Sequence, residues 1–295
     1  MFSAHGRLRV SPVQLDFDIG LERRFRIGST RRVGALWDTR FTLPNPAIEE
    51  RWVVYFVMEG ELRWHEPELV FTSPSSFVAT SGELAGSDGR RLRSFRSTAE
   101  FTGVELHVAP RELRAVPSTP FALTSSAPTF EAARAYTELV HSERSLGPTD
   151  RDAAVAKLLQ ALYADGVLHH DLSTTMHPVE GAEAVLWQAF VPFVERLVLG
   201  PSLDEMSTRT KMSLRQLGRA VDRFLKGFSL PWSGWRELTR GYRLHVAALL
   251  LSNPELAIAE IAERTGYSSA EALSHALTAE GLLPPMELRR RLIDG

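Results

Sequence analysis

Four side chains on one short stretch carry the most chemistry in this sequence: Arg215, Gln216, Arg219 and Arg223. Arg can grip the O6 and N7 edge of guanine with two parallel donors, and Gln can do the same for the N6 and N7 edge of adenine. Arg also neutralises phosphate, which fixes register without reading sequence. Lys211 lies just before this stretch, and Ser213 stands where a hydroxyl can cap a helix beginning at the next residue. An Arg-rich helical face is by itself only a solvated face. It becomes a reader of DNA when a scaffold presents it to a major groove.

That scaffold is written as an internal repeat. Leu203, Met206, Ser207, Ser213, Leu217 and Val221 share one pattern with Ile258, Ile261, Ala262, Ser269, Leu273 and Leu277. In each, a helix with a small residue leads through a short turn to a Ser. A second helix then follows, with apolar residues four and eight positions on. A helix-turn-helix requires these parts: a small residue at the crossing, a turn, and a second helix with one buried and one free face. Lys211 and Gly266 lie in the two turns, and two units of matching spacing arise by chance far less readily than one. The second unit presents Ser269, Ala270, Glu271 and His275 where the first presents its cations, so the first is expected to dominate base reading and the second to position. Glu271 would repel phosphate, although a carboxylate can accept from the amino group of cytosine.

From Leu203 to Arg291 the chain resembles the C-terminal domain of the AraC/XylS regulators. The closest matches are Arg243-Leu244 with Ala247 and Leu250-Leu251, and the run Ile258 to Ser269. The resemblance implies two helix-turn-helix units joined by a long helix and entering adjacent major grooves. It departs from the family at His275, where a basic Arg is usual, at Leu273 and Leu277, where Phe is common, and in Phe228 to Arg240 and Gly281 to Pro285. Trp232 and Trp235 in the first of these segments read as core.

Before the repeat, the chain up to about Arg111 reads as strands. Trp52 to Met58 is a β-branched and aromatic run, Glu59-Gly60-Glu61 a turn, and Leu62 to Trp64 the return of an expected hairpin. Further strands are expected at Glu68 to Thr72, Phe77 to Thr80 and Phe101 to Val108, a spacing that suits a sandwich or barrel. Trp52 to Trp64 resembles the central hairpin of a cupin barrel, the sensor that often precedes AraC-type DNA-binding domains. Both faces of Trp52 to Met58 are apolar, so at least one is core, and a pocket behind the other is an open alternative. Helices are expected at Phe130 to Ser145, Asp150 to Ala164 and Ala182 to Val198, with Pro192 kinking or shortening the last.

The fold class that follows is α+β: an N-terminal all-β cupin-like barrel or sandwich, a helical middle region, and a C-terminal all-α double helix-turn-helix. The corresponding bounds are 1–112, 113–200 and 201–295. The middle helices either pair two copies of the chain, as two-fold DNA sites favour, or pack on their own β-region.

Composition narrows the rest. A 295-residue chain with 44% hydrophobic and 24% charged residues is a folded multi-domain chain, and its net charge of −2 leaves phosphate attraction to local clusters. Zero cysteines exclude disulfides, thiolate zinc sites and a cysteine nucleophile. His169-His170-Asp171, with His177 nearby, is the one metal-like cluster, but adjacent rings on a loop seldom converge on one ion, and a solvated loop is expected. With no catalytic triad, carboxylate pair or His-x-His set around Gly60, neither an enzyme nor a cofactor is expected. No signal peptide or bilayer span is read, so a cytoplasmic location follows. The expected partners are double-stranded DNA, a small-molecule effector, a second copy of the chain and RNA polymerase. The competing reading is an adaptor that keeps the helix-turn-helix fold with weak or no DNA binding.

Overall fold

Both faces of the strand Trp52–Glu59 are buried, and that fact organises the N-terminal half. Trp52, Val54 and Phe56 meet one hydrophobic cluster, while Val53, Tyr55 and Val57 meet another. The computed structural model describes residues 1–41, 51–65, 68–80, 95–114, 121–142, 147–177, 180–196, 201–230 and 232–294. Among them the strands are β1 (Phe2–Val10), β2 (Val13–Leu21), β3 (Phe25–Val33), β4 (Trp52–Glu59), β5 (Glu61–Trp64), β6 (Leu69–Thr72), β7 (Ser75–Thr80), β8 (Phe95–Ser97), β9 (Phe101–Val108) and β10 (Phe121–Ala122).

Seven strands form one sheet in the order β1-β2-β3-β9-β4-β7-β10, and three form a second in the order β6-β5-β8. Between the sheets lies an aromatic core. Phe71 stacks on Phe77 at 4.3 Å, Tyr55 stacks on Phe77 at 5.1 Å, and Trp64 meets Phe95 at 6.1 Å. This is the β-rich half of an α+β chain, with aromatic side chains packed between its two sheets.

The expected hairpin from Trp52 to Trp64 is corrected. β4 pairs with β7 and β9 in the large sheet, whereas β5 pairs with β6 and β8 in the small one. A single residue, Gly60 at φ 81°, links them and turns the chain from one sheet into the other. The turn depends on glycine, because a Cβ there would collide with the Glu100 carbonyl oxygen.

The opposite face of the large sheet is covered by α1 (Ala127–Val140) and α2 (Pro148–Ala164), whose Ala133, Tyr136, Leu158 and Leu162 pack on Phe25, Ile27 and Leu106. Of the two roles expected for these helices, packing on their own sheet is the one their buried faces serve. Asp18 anchors that junction: the Tyr136 hydroxyl donates to its Oδ2 at 2.8 Å, and Arg151 forms an ion pair with its Oδ1 at 2.8 Å. A third helix, α3 (Gly181–Glu195), continues one turn past Pro192 and ends there. The C-terminal third is all helical: α4 (Leu203–Thr210), α5 (Leu214–Gly227), α6 (Trp235–Leu251), α7 (Ile258–Arg264), α8 (Ala270–Ala279) and α9 (Pro285–Asp294).

The β1–β2 ribbon joins the two halves. Along its strands apolar residues alternate with polar ones, so one face is apolar, and that face serves two different neighbours. Phe2, Ala4 and Leu21 pack with α3, α5 and Trp235, while Val10, Val13 and Leu15 pack with α6 to α9. Fully burying a side chain of this size contributes about 1.5–3 kcal/mol. Each helix-turn-helix unit is therefore fixed to a different end of one ribbon.

Candidate nucleic-acid interface

Helices α4 and α5 form the first helix-turn-helix. Ser202 opens α4 with a reciprocal cap: its hydroxyl accepts from Glu205 N–H at 3.1 Å, and Glu205 accepts from Ser202 N–H at 2.6 Å. Met206 and Thr210 face inward, and Lys211 ends the helix in the left-handed region at φ 56°. The second unit puts Gly266 at φ 79° in the equivalent turn, where no Cβ opposes that conformation. A left-handed Lys is disfavoured by roughly 1–2 kcal/mol.

Ser213 caps α5 as expected, but the cap takes in Gln216 as well. Ser213 N–H donates to Gln216 Oε1 at 2.9 Å, and Gln216 N–H donates to Ser213 Oγ at 3.3 Å. Bidentate reading of adenine needs both ends of the amide, so Gln216 would have to open this cap to do so. In its capped form it offers only its Nε2 donors.

Leu217, Val221, Phe224 and Leu225 bury the inner face of α5. Arg215, Arg219 and Arg223 are exposed and follow one another at four-residue spacing, which places them along one stripe of the helix. Among the described residues none of the three makes an ion pair, nor does Lys211, whereas Lys226 is bound to Asp222 at 3.1 Å. Gly218 lies beside the stripe, exposed, with nothing within 4 Å of a Cβ built upon it. The sequence reading passed over it. The signal was available, since a glycine inside an amphipathic helix costs about 1 kcal/mol relative to Ala.

The second unit has the same architecture and different chemistry. Ser269 caps α8 by accepting from Ala272 N–H at 3.2 Å, while Leu273 and Leu277 are buried. Ala270 is partly buried, and Glu271 and His275 are exposed on the outer face. Hydrogen bonds from its own backbone N–H and from the Ser269 side chain hold the Glu271 carboxyl below the usual range, so it stays ionised. No Lys or Arg occurs between Ala270 and Ala279.

The connecting helix α6 runs between the units. Trp235 stacks on Phe190 at 5.1 Å and is buried, and Trp232 packs at the margin of the same cluster. His169 and His170 lie exposed with their rings 4.4 Å apart, and Asp171 caps the 3-10 turn Leu172–Thr175 by accepting from Ser173 N–H. None of the helices in the described residues is long and apolar enough to cross a membrane.

No protein-family model and no curated protein matches the chain. Among solved structures it is similar to ToxT from Vibrio cholerae, at 12% identity over 92% of this chain and 100% of that one, with a TM-score of 0.36. It is similar also to the AraC-like transcriptional activator CuxR, at 12% identity over 80% and 81% of the two chains and a TM-score of 0.35. A third structure, KdgF from Halomonas sp., is 13% identical over 35% of this chain and 86% of its own, with a TM-score of 0.24.

Proposed function

We propose that this chain is a sequence-specific DNA-binding transcription regulator whose β-rich half modulates the DNA-binding half. The observation that carries this reading is the outer stripe of α5. Arg215, Arg219 and Arg223 are exposed, among the described residues they lack ion-pair partners, and the helix bearing them is rigidly capped and packed. Arg215 and Arg219 take the base edges, with Gln216 adding donors. Lys211 and Arg223 take phosphates. Ser269, Ala270, Glu271 and His275 of the second unit contribute position more than base recognition: His275 is a donor for phosphate, whereas Glu271 opposes that contact.

The β1–β2 ribbon packs on both units, so a change in how it sits alters the relative placement of the two reading heads. An effector that binds one arrangement better than the other shifts the population between them. Two-fold DNA sites would be served by a second copy of the chain, and RNA polymerase is the partner through which regulation would act.

The test is selection from a pool of random DNA duplexes at two salt concentrations. An enriched motif of one or two half-sites with steep salt dependence is expected. A second reading, an adaptor that keeps the fold without reading DNA, is favoured by the acidic outer face of α8. Absence of retention, or affinity insensitive to salt, would decide for it.

A further inference from the structure

Leu214 stands at the first position of α5, between the Ser213 cap and Arg215, and it is 53% exposed. The other large apolar residues of that helix, Leu217, Val221, Phe224 and Leu225, are all buried. A leucine left in water forgoes the gain that burial would bring. Its surroundings depart from the needs of folding in the same direction. The positive end of a helix favours carboxylates, and the first turns of α4, α6, α7, α8 and α9 each carry at least one: Asp204 and Glu205, Glu237, Glu260, Glu271 and Glu287. The first turn of α5 carries none, and Leu214, Arg215 and Gln216 stand there instead.

Position adds shape to this composition. Side chains on a helix lean toward its N-terminus, so Leu214 extends past the capped end of α5. That is the end whose residues meet base edges when the second helix of such a unit lies in a major groove. Gly218 follows one turn later on the same line of the helix, at the four-residue spacing that makes neighbours. It is exposed, and a Cβ built on it meets nothing within 4 Å, so the Leu214 side chain does not fill the space above it. Leucine on one side and bare backbone on the other leave a shallow apolar notch.

Charge surrounds the notch. Arg215 and Arg219 run beside it at the same four-residue spacing, and Lys211 lies in the turn before it. All three are exposed, and among the described residues none makes an ion pair. The occupant is therefore apolar where it meets Leu214 and anionic in its surroundings.

The geometry points to Leu214 and Gly218 as the readers of a thymine 5-methyl group, on a base next to the guanine held by Arg215 or Arg219. Leu214 supplies the apolar contact, and Gly218 supplies clearance for the base edge that carries the methyl. Among the groups that the four bases display in the major groove, the thymine methyl is the apolar one. Cytosine presents a bare C–H at the same place, so the notch separates a methylated pyrimidine from an unmethylated one. A duplex brings that methyl and an array of phosphates together, which matches a leucine set among unpaired cations. This assignment rests on the DNA-reading function proposed above and adds to it the residue pair that selects thymine.

The experiment takes the duplex that the full chain selects from a random pool and replaces each thymidine in turn, on either strand, by deoxyuridine, which lacks only the 5-methyl group. One such replacement should weaken binding about fourfold, the equivalent of one methyl group lost from an apolar contact. Leu214→Ala changes an exposed site to the strongest helix former, and it should bind the thymidine and deoxyuridine duplexes alike at that position. Arg223→Ala should weaken both duplexes and preserve the ratio between them, which separates a general loss of affinity from a loss of methyl reading. A deoxyuridine effect that persists undiminished in Leu214→Ala overturns the proposal, as does a selected motif in which no thymidine depends on its methyl. Either result leaves the DNA-reading function standing. Absence of any selected motif removes that function and this proposal together.

Discussion

Asn253 Nδ2 donates to the Gly34 carbonyl at 2.9 Å, tying the end of the connecting helix to the turn after β3 across more than two hundred residues of chain. Ser252 reinforces the tie, its Oγ accepting from Leu36 N–H at 3.0 Å. Both serine and asparagine are buried. Asn253→Ala leaves the Gly34 carbonyl without this donor, and a loss of about 1–3 kcal/mol in unfolding free energy is expected by chemical denaturation. Unchanged stability would mean that this donor adds nothing to the apolar packing and the Ser252 contact.

Within α5, Arg215 and Arg223 are expected to fail differently. Arg215→Ala should relax preference at one base position, at a cost of about 1–3 kcal/mol for the preferred site. Arg223→Ala should weaken all sequences alike and reduce the salt slope. Binding to the selected site and to a scrambled duplex at several salt concentrations separates the two behaviours.

Gly218 offers a variant whose two readouts should move in opposite directions. Gly218→Ala places a methyl group in open space and should stabilise the helix by up to about 1 kcal/mol. The same methyl would intrude wherever the α5 backbone lies close to a groove. A higher melting temperature with weaker DNA binding is therefore expected, and undiminished binding would place that face away from DNA.

Glu271 is the opposing charge on the second unit. Glu271→Gln removes an ionised carboxylate from the outer face of α8 and should strengthen binding to all duplexes, most at low salt. A gain confined to one sequence would instead show α8 reading a base.

His107 and His141 give the fold a pH dependence. Burial lowers both imidazoles from 6.5 to about 4, outweighing the opposing carboxylates Glu105 at His107 and Asp16 at His141. As pH falls below 6.5 the unfolded chain takes up these protons first. The stabilisation from neutral histidine is complete above that value and is lost progressively as pH falls to about 4. His141 meets Ser29 Oγ at 2.9 Å, and His141→Gln should flatten this pH dependence even where it lowers stability at neutral pH. Unfolding curves across the window measure the slope.

Features that depend on near neighbours along the chain are legible in the residues alone. Apolar residues three and four apart fixed the buried faces of α5 and α8, and Ser213 and Ser269 fixed where those helices begin. The repeat of the two units, the run of β9, and the contrast between an Arg-bearing α5 and an acidic α8 were legible in the same way. The tertiary structure alone decided what depends on partners far apart. Whether β4 and β5 pair with each other is settled by β7, β9, β6 and β8 competing for their edges, and a local turn at Gly60 does not reveal it. β1 and β2 read as mixed charged and apolar segments until both halves of the chain supply cover for alternate residues. Local backbone preferences act within a few residues, whereas register and sheet order are set by burial summed over the whole chain.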